Sequence, residues 1–149
     1  MKATSNELVI TRIFEAPREL VWKAWTEPKQ FMRWWGPQGF TNTFHEFDLR
    51  PGGYWRFIMH GPDGSSYENE SVFVEVSRPE RIVFRHISAP HFLMTITLDN
   101  QAGKTKITWH MLFESVTERN NIAKYALDAN EQNLDRLEAH LAAMTVQHE

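Results

Sequence analysis

His91-Phe92-Leu93-Met94-Thr95-Ile96-Thr97-Leu98-Asp99, then Asn100-Gln101-Ala102-Gly103, then Thr105-Lys106-Ile107-Thr108-Trp109-His110-Met111-Leu112-Phe113, is the stretch whose reading decides the fold. Phe92, Met94, Ile96 and Leu98 recur at every second position, and Ile107, Trp109, Met111 and Phe113 repeat the pattern beyond the turn. Side chains two apart share one face of a strand, so this is an antiparallel hairpin with one strongly apolar face. Working toward the N-terminus, the same pattern continues. Phe44–Arg50 stops at Pro51-Gly52-Gly53, Tyr54–His60 at Gly61-Pro62-Asp63-Gly64, Tyr67–Val76 at Ser77-Arg78-Pro79-Glu80, and Arg81–Ile87 at Ser88-Ala89-Pro90. Runs of this length separated by turn residues predict six consecutive strands in a meander. Alternation places Val72, Val74 and Val76 on one face, and Ile82 and Phe84 on one face.

Upstream, Glu7–Phe14 reads as a first strand ending before Ala16-Pro17. Pro17 suits the first turn of a helix, where its missing N–H is not needed, and Leu20, Val21, Ala24 and Trp25 follow at helical spacing. Thr26-Glu27-Pro28 opens a second short helix carrying Phe31, Met32 and Trp35, which ends before Gly36-Pro37. Downstream, Ala123, Leu127, Asn130, Leu134, Leu137, Leu141 and Met144 step by four and three, predicting a long helix from about Thr117 to about Ala143. The fold class is therefore α+β, in the order β-α-α-β6-α. A curved seven-stranded antiparallel sheet wraps a long C-terminal helix, in one domain over 1–149 with its core at about 7–143 and a frayed tail at 144–149.

The 149 residues include no Cys, which removes disulfides, thiolate metal sites and cysteine nucleophiles. With 16 Lys+Arg against 19 Asp+Glu and no basic cluster, nucleic acid is not an expected partner. Met1–Asn6 lacks the pattern of a signal peptide and no apolar run is long enough to cross a bilayer, so a cytoplasmic protein without membrane insertion is expected. Six Trp, ten Phe and three Tyr are more rings than a small surface needs, and they must fill a core or line a pocket.

Specific residues carry a resemblance. Arg12-Ile13-Phe14-Glu15-Ala16-Pro17, Val21-Trp22-Lys23-Ala24-Trp25-Thr26-Glu27-Pro28, Arg33-Trp34-Trp35-Gly36-Pro37, Asp48-Leu49-Arg50-Pro51-Gly52-Gly53-Tyr54-Trp55, Pro79-Glu80-Arg81-Ile82-Val83 and Leu134-Asp135-Arg136-Leu137 together resemble the helix-grip superfamily. This superfamily (SRPBCC) includes the birch-pollen-allergen-like and START-like lipid-transfer domains. Within it the chain is similar to the branch named after the activator of the ninety-kilodalton heat-shock-protein ATPase, in its stand-alone bacterial form, over about residues 7 to 142. The resemblance implies a hydrophobic cavity between sheet and C-terminal helix, entered near the short helices and used by relatives for apolar ligands.

Candidate cavity residues follow from the apolar strand faces: Phe57 and Met59 beside Trp55, and Met94, Trp109 and Met111. Ordinary core packing is the competing reading for each. Trp34 and Trp35 cannot face the same way on a helix, so one packs and the other, Trp35, is placed at the pocket mouth. Asn130 interrupts the apolar stripe with Tyr125 and Asn133 nearby, and a buried amide needs a partner, a water or a ligand. Among the histidines, His45 and His86, with Glu70, are candidate polar cavity groups that could work as acid or base. No His-x-His or His-Glu-x-x-His spacing occurs, so no metal and no cofactor are expected. The glycine pairs fit hairpin turns, and no Gly-x-Ser-x-Gly elbow is present.

The leading expectation is a protein that binds a small hydrophobic or aromatic molecule, lipid-like or polyketide-like, without catalysing a reaction. A cyclase or hydrolase using a cavity His, Glu or Tyr is the first alternative, and a chaperone-associated interaction module the second. Either a monomer or a homodimer is compatible with the exposed aromatics.

Overall fold

The computed structural model describes residues 5–147. The elements run β1 (Glu7–Phe14), α1 (Arg18–Thr26), α2 (Pro28–Trp34), β2 (Thr41–Phe47), β3 (Tyr54–His60), β4 (Ser66–Ser77), β5 (Arg81–His86), β6 (Phe92–Gln101), β7 (Lys104–Phe113) and α3 (Val116–Gln147). All strand pairs are antiparallel, in the order β1-β7-β6-β5-β4-β3-β2, so the meander β2 to β7 is completed by β1 pairing with β7. This is the α+β helix-grip arrangement.

Several boundaries differ from the sequence reading, each for a local reason. The β6–β7 turn is narrower than Asn100–Gly103: Gln101 pairs with Lys104, leaving only Ala102 and Gly103, both with positive φ, in the turn. A two-residue turn of this hand matches the twist of the flanking strands, but alanine is an unusual occupant and gives no signal. β2 lies at Thr41–Phe47 rather than Phe44–Arg50, because Asp48, Leu49 and Arg50 are taken up by the turn. There Asp48 N–H donates to the Tyr54 carbonyl, and Gly53 packs so closely that a Cβ would lie 2.0 Å from the Asp48 carbonyl oxygen. Pro17 sits at the N-cap of α1 instead of in its first turn, its carbonyl accepting from Val21 N–H at 3.2 Å.

The helix α3 continues to Gln147, and Met144, expected in a frayed tail, is buried. Residues 148 and 149 of that tail lie outside the described residues. Leu127, expected on the inward stripe, is exposed; Ile122 and Ala126 pack against the core in its place. The inward face then passes through Asn130 and Asn133 to Leu134, Leu137 and Leu141. From β1, Arg12 reaches across to Glu131 and Asp135 at 2.8 Å and to Glu138 at 3.4 Å, tying α3 to the sheet.

The β4 face is also corrected. Ser71 and Phe73 are buried while Val74 is exposed, and a register shift between Phe73 and Glu75 then turns Val76 back toward the core. The inner sheet face and the two short helices share one aromatic cluster. Trp25 meets Trp34 edge-on with centroids 4.7 Å apart, Phe31 lies 4.8 Å from Trp55, and Trp55 stacks on Phe57 at 4.3 Å. Offset and edge-on contacts of this kind add about 0.5–1.5 kcal/mol per pair beyond burial.

Candidate functional site

The site begins with the way α2 ends. Trp34 is fully packed, and its Nε1 donates to the Ala24 carbonyl of α1 at 3.0 Å. Trp35 follows in an extended conformation, its ring meeting Trp34 edge-on at 5.8 Å and stacking near-parallel to Trp109 of the sheet at 5.6 Å. Gly36 then takes φ +97°, a region that L side chains rarely adopt, and a Cβ there would meet the Met59 methyl at 2.8 Å.

Two residues of α3, three positions apart and therefore neighbours on the helix, hold this segment. Asn133 accepts from Gly36 N–H at 3.2 Å and donates to the Trp34 carbonyl at 3.1 Å. The Arg136 Nη1 donates to the carbonyls of Trp35, Gly36 and Pro37 at 3.2, 2.9 and 2.9 Å, and Nη2 donates to that of Arg33 at 2.9 Å. Burial lowers the Arg136 pKa, but the guanidinium stays charged and is compensated by the carbonyl-rich end of α2. This pair of side chains fixes where Trp35 can stand.

Between this segment, the inner sheet face and α3 lies a cavity of about 190 Å³. Of the residues singled out in the sequence, the structure brings Trp35, Phe57, Met59, Met94, Trp109, Met111, Asn130 and His86 together on its wall. Three others are not there. Tyr125 is 75% exposed, because five residues of helix turn it about 140° from Asn130. Glu70 lies on the outer sheet face, where its carboxylate accepts from Arg56 Nε while Arg56 Nη1 donates to Glu46. His45 sits at the β2 bulge and lines a separate groove with Arg56, Glu68, Glu70 and Ser88.

Further wall residues are Asn69, Phe84, Pro90, Phe92 and Ala129, which the sequence reading did not single out. Asn69 was missed with the whole inner face of β4. Its signal is the cross-strand register, since Asn69 faces Phe57 directly. The cavity's polar groups gather around His86. Its Nδ1 lies 2.7 Å from the Pro90 carbonyl oxygen and its Nε2 2.9 Å from Asn69 Oδ1, with the Ser88 hydroxyl at 3.4 Å, and the ring stacks on Phe92 at 4.7 Å. Burial pushes the His86 pKa down against the pull of the Pro90 carbonyl, and nearby His91 lowers it further. On the α3 side, Asn130 Nδ2 finds only the thioether of Met111 at 3.5 Å. The Nε1 groups of Trp55 and Trp109 have no partner and essentially no accessible area, so they face packed atoms and not the open space.

Apart from His86 the wall holds no side chain that ionises near neutral pH, and no group of His, Asp and Glu suited to a metal occurs among the described residues. Nor is any helix among them long and apolar enough to cross a membrane.

Solved structures confirm the architecture. A protein from Nitrosomonas europaea superposes with a TM-score of 0.87 at 22% identity, covering 97% of this chain and 99% of that one. One from Arthrobacter aurescens gives 0.88 at 23% identity, with 96% and 90% covered. A Silicibacter pomeroyi protein titled as AHSA1 gives 0.76 at 18% identity, with 93% and 99% covered. Likeness at these identities shows the fold alone. No curated protein matches the sequence. The family model described as Activator of Hsp90 ATPase homolog 1-like protein matches residues 15–142, nearly all of the helix-grip core, and the chain belongs to that family.

Proposed function

We propose that this protein binds a small apolar or aromatic molecule in the cavity between the sheet and α3. The observation that carries the reading is the wall itself: Trp35, Trp109, Phe57, Met59, Met94 and Met111 face about 190 Å³ of space that they do not fill. Flat rings offer large rigid contact area, and methionine adapts to irregular shapes, so such a wall suits a guest better than it suits a close-packed core. An engineered apolar cavity of about 150 Å³ takes up benzene, so a single ring fits within these walls, and a larger guest would extend through the side of the pocket that is open to solvent.

Mass spectrometry of protein transferred gently from native buffer, together with titration of a solvatochromic dye, tests occupancy. Trp109→Ala or Met94→Ala is expected to change probe affinity severalfold, and Glu131→Ala, on the exposed side of α3, to leave it unchanged. Absence of binding by every hydrophobic probe overturns the reading.

An acid–base enzyme is supported by one observation, the titratable His86 on the cavity wall. Its proton, on either nitrogen, is held by a protein oxygen, and the wall offers no second titratable group to work with it, which favours binding over catalysis.

A further inference from the structure

The contacts around His86 do not balance. A neutral imidazole has one N–H and one lone pair, yet both ring nitrogens face oxygen acceptors, the Pro90 carbonyl at 2.7 Å and Asn69 Oδ1 at 2.9 Å. Asn69 is held in this orientation because its Nδ2 donates to the Tyr67 carbonyl at 3.0 Å. Whichever tautomer is present, one lone pair meets another on the cavity wall, since His86, Asn69 and Pro90 all line it. The Ser88 hydroxyl, at 3.4 Å, is too distant to bridge them well. Three remedies exist: a second proton on the ring, which burial opposes; a turn of the Asn69 amide, which gives up its bond to the Tyr67 carbonyl and sets two oxygens together there; or a donor brought by the guest.

The rest of the wall limits what that guest can be. No Lys, Arg, Asp or Glu lines the cavity, so a charged guest would lose its hydration without gaining a counter-ion. The walled volume holds about one ring, and the pocket is open to solvent on one side. Building on the reading of this cavity as a binding site, we propose that the guest seats a neutral aromatic ring here, carrying an O–H or N–H donor, which it places on the acceptors of His86 and Asn69. Asn130, whose amide hydrogen has only the Met111 sulfur, offers a donor to an acceptor on the same molecule.

The test uses the full chain at pH 7.5 and three probes matched in heavy-atom count, namely phenol, aniline and toluene, titrated by calorimetry and by ligand-observed NMR. An O–H or N–H stripped of water without a partner lowers affinity, so a purely apolar cavity prefers toluene. The expected result is the opposite order, with phenol and aniline about tenfold tighter than toluene, the worth of one satisfied hydrogen bond. In Asn69→Leu and in His86→Phe this order reverses, while toluene affinity changes by less than about threefold. Should His86→Phe fail to fold, Asn69→Leu carries the comparison, because its side chain is only partly buried. Toluene binding as tightly as phenol in the unmodified protein overturns this inference and leaves the binding function standing. A phenol preference that survives both substitutions overturns the role given to His86 and Asn69. If no probe binds, both the inference and the function it rests on fall.

Discussion

Replacing Arg136 by Met removes the guanidinium that gathers four carbonyls at the end of α2 while keeping most of the aliphatic stem. Hydrogen bonds to a charged group contribute about 1.5–3 kcal/mol each, but the four here are not independent. Three carbonyls share the two hydrogens of Nη1, and the bond to Arg33 is exposed to water. Counting two effective bonds at the lower end gives a loss of about 3 kcal/mol, which for a chain of this size corresponds to a fall in Tm of about 6–12 °C. Arg136→Lys retains the charge but not the planar fork, and is expected to recover about half of the loss. Urea unfolding followed by tryptophan fluorescence, with calorimetry for Tm, reads both. Because Asn133 holds the same segment, the double variant with Asn133→Ala is expected to lose less than the two single losses added together. A loss below about 0.5 kcal/mol for Arg136→Met, or a Lys variant indistinguishable from the native protein, refutes the carbonyl-capping argument.

Other outcomes follow from the same geometry. Gly36→Ala forces a side chain into φ +97° and toward the Met59 methyl; since that methyl can swing away, backbone strain dominates, and urea unfolding should show a loss of about 1–2 kcal/mol. Arg12→Gln breaks contacts to three carboxylates that are each more than half exposed, so it should cost about 1 kcal/mol or less at low salt and nearly nothing at about 1 M NaCl. His86 and His140 both have pKa values lowered by burial, so on acidification the unfolded chain takes up their protons before the folded one. The stability they confer is complete above the unfolded value of about 6.5 and is lost as pH falls toward their folded values. His86→Gln should therefore flatten the dependence of unfolding free energy on pH below about 6.5, and an unchanged slope counts against a buried neutral His86.

Much of this fold could be read because its strands carry strict alternation. Phe92, Met94, Ile96 and Leu98, and Ile107, Trp109, Met111 and Phe113, face inward as their period demands, and the cavity residues on β6 and β7 come from the same rows. Reading failed where a bulge or a mixed strand broke the period. In β4 the row Val72, Val74, Val76 outweighs Asn69, Ser71, Phe73 by composition, yet the latter faces inward up to the register shift after Phe73. Asn69 carries no signal in the sequence for that reason, and Glu70, its neighbour, faces outward against the alternation that the valines suggest. On α3 the error was one of phase. Counting from the buried Leu134, a strict four-and-three stepping reaches Leu127, but the helix presents Ala126 to the core instead. Arg136 stands in the sequence as one charge among several on α3, and nothing local reveals that the carbonyls at the end of α2 lie within its reach.

The Gly36 amide has a use as a clock. Its hydrogen bond crosses from the end of α2 to a side chain on α3 and belongs to neither a helix nor the sheet ladder. Exchange of that one proton with solvent therefore times the parting of α2 from α3 separately from unfolding of the strands. Because the same segment carries Trp35 on the cavity wall, the measurement also reports how often that wall swings open while the sheet behind it stays intact.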